Sequence, residues 1–161
     1  VQEVTRLAGV NRATFYQHYR DKDELIEQTI DALVDEVFDA CTPVLAGHDR
    51  FESATVHPSV VEAYLKIGER PVLFRRLLGP GGESTCARIF SDRTVELALQ
   101  ALAAQGIEEL ADSIPHEVRA RASAAMFLSI CGYWLENGCT EPAEELAAWY
   151  WRLTHPIWFT D

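Results

Sequence analysis

The stretch Val4-Thr-Arg-Leu-Ala-Gly-Val-Asn-Arg-Ala-Thr-Phe-Tyr-Gln-His-Tyr19, followed at once by Arg20-Asp-Lys-Asp-Glu-Leu25, decides how the chain is read. Two short helical patterns meet at Gly9-Val10, where glycine permits the positive φ of a sharp turn. The first is expected over residues 1–8. Asn11 is a suitable N-cap for the second, which reaches about Tyr19. Val10, Phe15, Tyr19 and Leu25 are apolar at positions that pack this small unit together. Two short helices joined by a tight glycine turn make a helix-turn-helix.

Arg12, Thr14, Tyr16, Gln17 and His18 project from the second helix without serving its core, and a helix of this width fits the DNA major groove. Arg12 can reach guanine O6 and N7, Gln17 adenine N6 and N7, and Ala13 or Thr14 a thymine methyl. Ala8-Gly9-Val10, the small polar Asn11, the run Thr14-Phe15-Tyr16-Gln17-His18-Tyr19 and Lys22 closely resemble the DNA-binding domain of the TetR family of bacterial transcriptional repressors. The resemblance covers roughly the first 30 residues of the chain. It implies that Tyr16, His18 and Lys22, with Gln2 as a further candidate, contact phosphates and position the protein without reading sequence. Two features depart from the pattern. Thr5 stands where such turns carry alanine, which is expected to crowd the helix crossing. The family's first helix is expected to lie before Val1.

Outward from this unit, Asp21 and Glu24 have capping-box spacing and open a long helix with the stripe Ile26, Ile30, Leu33, Val34, Val37, Phe38, Cys41 and Leu45. Pro43 and Gly47 are expected to end it. Prolines 58 and 71 sit where a first helical turn accepts them, predicting helices near 59–69 and 71–79. Further helices are predicted over about 84–105, 116–137 and 143–155. Nothing alternates with a strand period, so the fold class is all-α. The expected organisation is a partial helix-turn-helix domain over 1–24 and a larger helical domain over 25–161.

Between Ala122 and Leu135 only Ser123, Ser129 and Gly132 interrupt the apolar residues, so this helix is expected to be buried on more than one side. Ala122, Ala125, Ser129 and Gly132 form a stripe of small residues, and the last helix adds Leu146, Trp149, Tyr150 and Leu153. That surplus predicts a homodimer in which two helices of each subunit form a four-helix interface. The family resemblance implies that the larger domain encloses a pocket for a small-molecule effector. Phe38, Cys41, Tyr64, Phe74, Phe90, Thr94, Met126 and Phe127 are the residues expected to line it. Few charges fall inside these stripes, so a largely apolar or aromatic effector is expected.

The net charge of −11 excludes a protein coated in positive charge for nucleic acid or an anionic membrane, but not a local DNA-contacting face. Residues 1–24 are neutral, and residues 25–161 carry the whole excess of acid. Cys41, Cys86, Cys131 and Cys139 include no CxxC pair, and the five histidines form no i,i+4 ligand pair, so no metal or other cofactor is expected. Hydrolase and phosphate-loop motifs are absent, so an enzyme is not expected. A redox sensor using Cys41 or Cys131 is a minor rival. No stretch approaches a membrane span, and a cytoplasmic location is expected. These readings predict a regulator bound to a palindromic operator on double-stranded DNA and released by the effector. The alternative is a helical adaptor, or a ligand-free regulator, acting through protein contacts.

Overall fold

A computed structural model describes the backbone of residues 1–46, 56–78, 84–104 and 114–159, and their side chains apart from 41–46, 84, 101, 102, 104 and 156–159. The described residues form helices and no strand: α1 (Gln2–Ala8), α2 (Arg12–His18), α3 (Lys22–Ala46), α4 (Pro58–Gly68), α5 (Pro71–Leu78), α6 (Ser84–Ala104), α7 (His116–Glu136) and α8 (Ala143–Phe159). The all-α expectation holds. Helix α3 runs through Pro43 to Ala46, in keeping with a stripe that reaches Leu45 and an end marked by Gly47, whereas α8 continues past the expected 155 to Phe159. Proline removes one N–H donor, but its fixed φ is itself helical.

Five helices close a ring: α3 packs on α4, α4 on α8, α8 on α7, α7 on α6, and α6 back on α3, with α5 laid over α6 and α7. Each turns an apolar stripe inward. Ile30, Val34 and Val37 come from α3, Tyr64 and Ile67 from α4, Phe74 from α5, Cys86 and Phe90 from α6, and Leu146 and Ala147 from α8. Helix α7 contributes most, with Phe127, Ile130, Cys131, Trp134 and Leu135 buried in the same cluster. By contrast, α1 and α2 pack mainly on each other and form a head joined to the ring through α3.

Local chemistry fixes the ends of these helices. His57 caps α4, its Nδ1 accepting from the Ser59 N–H at 3.2 Å ahead of Pro58 in the first turn. Helix α7 ends at left-handed Gly138 (φ 83°), after which the Cys139 N–H donates back to the Trp134 carbonyl at 3.0 Å. The Trp134 indole N–H in turn donates to the Glu141 carbonyl at 3.0 Å, tying the α7–α8 turn to the core. A Cβ on Gly68 would lie 3.0 Å from Trp134 Cη2, so any larger residue there would have to push this ring back by a few tenths of an ångström.

Surface ion pairs hold α3 against its neighbours. Glu36 meets Arg70 at 2.7 Å and Lys66 at 3.4 Å, and Asp35 meets Arg93 on α6 at 3.1 Å. Exposed pairs of this kind add little stability each, about 0–1 kcal/mol. The buried stripe therefore dominates the packing of α3.

Candidate nucleic-acid interface

The turn between α1 and α2 is built from backbone hydrogen bonds. Gly9 adopts φ 68° and ψ 22°, its N–H donates to the Arg6 carbonyl at 3.4 Å, and the Val10 N–H donates to the Thr5 carbonyl at 3.0 Å. This is the left-handed glycine end that satisfies the last carbonyls of a helix. Asn11 then starts α2, its Oδ1 accepting from the Thr14 N–H at 2.8 Å and from the Thr14 hydroxyl at 3.2 Å. Thr5 is buried, and its hydroxyl donates to the Gln2 carbonyl of its own helix at 3.1 Å.

Phe15 is the one buried residue of α2, and it packs with Tyr16 and Tyr19 at ring separations of 5.2 and 5.5 Å. With that anchor turned inward, Arg12, Ala13, Tyr16, Gln17 and His18 are all exposed. The Arg12 guanidinium lies 5.9 Å from the centre of the Tyr16 ring, a cation–π contact that places the two on one face. Thr14 is half-buried, and its hydroxyl is already committed to Asn11. Gln2 and Lys22 are exposed at the starts of α1 and α3.

Asp21 caps α3 by accepting the Glu24 N–H at 2.9 Å. The reciprocal half of the expected box is shifted by one residue, because the Glu24 carboxylate takes the N–H of Arg20 and also the Arg20 guanidinium at 3.2 Å. The Arg20 N–H, with smaller help from its side chain, holds the Glu24 carboxyl below the usual carboxylate range. Arg20 is thus engaged, whereas Arg6 is exposed on α1 and forms no ion pair among the described residues. Arg6 was not singled out from the sequence. Its position in the last turn of α1 reads equally well as a cation favoured by the helix dipole.

The residues expected to line a pocket come together in the ring of helices. Phe38 lies 5.1 Å from Phe90, Phe90 5.5 Å from Phe127, and Phe127 4.6 Å from Tyr64, all between ring centres. Phe74 is buried in the same cluster. Thr94 is half-buried, with its hydroxyl donating to the Phe90 carbonyl at 2.8 Å, and Met126 is half-buried on α7. Cys41 lies outside the described side chains.

The residues expected at a dimer interface divide. Ala122, Ala125 and Ser129 lie on the outer side of α7 with Trp149 and Leu153 of α8, and an open groove of 410 Å³ runs between Ser129, Tyr133, Trp149, Arg152 and Leu153. Leu146, Tyr150 and Gly132 are corrected to core positions. Leu146 is fully buried, Tyr150 sets its ring edge against Phe127 at 6.0 Å, and a Cβ on Gly132 would meet the Leu78 carbonyl of α5 at 3.7 Å. Helical phase explains the split, since positions 146 and 150 share the inward face of α8 while 149 and 153 point away. Val118 and Tyr133, both about half exposed, continue the outer stripe of α7 and were missed.

The thiols offer little nucleophilic chemistry. Burial pushes Cys131 up to about 12, and Cys139 is also raised by burial. A protonated thiol is a poor nucleophile. Among the described residues no group of three or more His, Cys, Asp or Glu side chains is placed to hold a metal ion, and no helix is long and apolar enough to cross a membrane. The family model described as "Bacterial regulatory proteins, tetR family" matches residues 1–29, from α1 through the first turns of α3. None of the curated proteins and none of the solved structures compared with the chain matches it.

Proposed function

We propose, from the match of residues 1–29 to the model of the tetR family of bacterial regulatory proteins, that the chain is a DNA-binding transcriptional repressor released from a palindromic operator by a small, largely apolar effector. The single observation that carries this reading is the division of α2: Phe15 turns inward, and Arg12, Tyr16, Gln17 and His18 stand exposed together. Arg12 and Gln17 have the donors and acceptors to read guanine and adenine edges, and Ala13 presents a methyl to thymine. Tyr16, His18, Lys22 and Gln2 serve as phosphate contacts. The hydroxyl of Thr14 donates to the Asn11 cap, so only its methyl is left for a base.

In this reading residues 1–24 are the reading head and residues 25–161 the dimerisation and effector domain. The outer stripe Val118, Ala122, Ala125, Ser129 and Tyr133, with Trp149 and Leu153, supports a two-fold interface between copies of α7 and α8. Such a dimer presents two α2 helices to successive major grooves, about 34 Å apart. An effector that prefers another spacing weakens DNA binding by its differential affinity for the two states. Helix α3 transmits the change, because it alone runs from the head into the ring. The proposed role is non-enzymatic and cytoplasmic.

A genomic-fragment binding selection followed by footprinting at two salt concentrations tests this. Recovery of one palindromic site with a steep salt dependence is expected, because phosphate contacts release counterions. Enrichment of no fragment overturns the reading and leaves a helical adaptor, which the acidic surface also permits.

A further inference from the structure

Tyr64 of α4 is fully buried, and its hydroxyl has no hydrogen-bond partner among the described residues. Native proteins seldom leave such a group uncompensated. The atoms around it suit a ligand. The Tyr64 ring lies against Phe127, Phe127 against Phe90, and Phe90 against Phe38, with Trp134 presenting its edge to Tyr64 at 6.3 Å. The Cys131 thiol and the Tyr150 phenol stand near the Tyr64 hydroxyl, and Tyr150 is already bonded to Ser123. Burial holds the Tyr64 phenol above its ordinary value, so it stays protonated and able to donate. The side chains packed against these rings are apolar, and the one other buried side-chain polar atom without a partner among the described residues is Arg119 Nε on α7.

Phe38 differs from the other rings. It is half-buried where Tyr64, Phe90 and Phe127 are buried, so its swing opens the stack with the least disturbance. It also belongs to α3, the helix joined to the head.

We infer that the Tyr64 hydroxyl donates a hydrogen bond to a planar aromatic ligand bearing a carbonyl or ether oxygen, seated among the Phe38, Phe90 and Phe127 rings. Flat aromatic faces select a flat aromatic body by offset stacking. An unpartnered buried donor selects an acceptor atom on that body. This rests on the effector reading above and names the effector's class. Seating the ligand moves Phe38, and with it α3.

The test is an equilibrium titration with coumarin, chromone and 1-indanone, followed by tryptophan emission, on the unaltered protein and on Tyr64→Phe and Phe38→Ala. Binding of at least one compound is expected, weakened about tenfold by Tyr64→Phe through loss of one hydrogen bond. Tyr64→Phe removes an unpartnered hydroxyl, so its melting temperature should not fall, which separates a lost contact from a lost fold. Phe38→Ala should bind more tightly, because the opening is already made. Failure of all three compounds to bind, or equal affinity in Tyr64→Phe, overturns the inference. Operator binding with and without the compound distinguishes the two proposals. Binding that depends on Tyr64 but leaves DNA affinity unchanged defeats the release mechanism alone, whereas DNA release insensitive to Tyr64→Phe defeats this inference alone.

Discussion

The head and the ring of helices are stabilised by the same physics on very different scales. Two buried residues, Thr5 and Phe15, anchor α1 and α2, whereas the ring and α5 together bury stripes from six helices, most of them in one large cluster. The small unit leaves most of its side chains exposed, so the identity of those side chains demands an explanation other than packing. In the ring, packing already explains nearly every apolar residue. A region with little core therefore discloses its chemistry, and a region with a large core conceals it.

The largest effects should come from removing one aromatic anchor in each region. Phe15→Ala and Phe127→Ala each delete a nearly fully buried ring, a change that costs about 3–5 kcal/mol. Phe15→Ala should unfold the head alone: amide exchange accelerates in residues 1–19, DNA binding is lost, and the melting temperature of the ring stays put. Phe127→Ala should lower that melting temperature while exchange in α1 and α2 is unchanged. A matching drop in the ring's melting temperature for Phe15→Ala breaks the comparison, since the head would then fold as part of the ring.

The same contrast sets how much was legible in the sequence. The turn at Gly9, the cap at Asn11 and the inward Phe15 are local features, and the structure shows each where the residues put it. The helices were legible from apolar spacing, except that the last was expected to stop at about 155 and runs on to Phe159. Which face of α7 and α8 turns inward was not legible, because α7 is apolar almost all round. Leu146 and Tyr150 were therefore assigned outward although the neighbouring helices bury them. The orphan hydroxyl of Tyr64 was invisible for a similar reason: a missing partner is a fact about surroundings, and spacing along one helix does not report it.

Within the head, two substitutions separate reading from positioning. Arg12→Ala should cost about 1–3 kcal/mol at the preferred site and relax selectivity at one base pair. Lys22→Ala should weaken binding at every sequence alike and reduce the log–log salt slope by about 0.9. Competition binding against single-base variants of the site, at two salt concentrations, measures both. If Arg12→Ala weakens all sequences equally, Arg12 is a phosphate contact and the face of α2 must be reassigned.

Glycine substitutions sharpen the comparison at smaller cost. Gly9 has a left-handed backbone with nothing within 4 Å of a built Cβ, so Gly9→Ala carries only the conformational penalty of about 1–2 kcal/mol. Gly132 is helical and its Cβ would make ordinary contact at 3.7 Å, so Gly132→Ala should gain up to about 1 kcal/mol from helix propensity. Opposite signs are expected: faster exchange in the head for the first, and a higher melting temperature of the ring for the second.

The smallest effect concerns the junction itself. Glu24 is held below its ordinary value of 4.5, chiefly by the Arg20 N–H, which outweighs the opposing effect of burial with help from the Arg20 side chain. A carboxyl depressed on folding contributes stability that is complete above the unfolded value and fades as pH falls through the folded one. The head should therefore hold constant protection at neutral pH and lose part of it below about 4.5. Glu24→Gln keeps an oxygen that can accept from the Arg20 N–H but removes the titrating charge. Amide exchange of residues 12–25, corrected for the intrinsic pH dependence, should show a shallower acid loss in this variant than in the unaltered protein. Identical acid profiles would mean that the Arg20–Glu24 contact does not couple the start of α3 to the head. The orientation of α2 relative to α3 would then rest on Phe15, Tyr19 and the Asp21 cap alone.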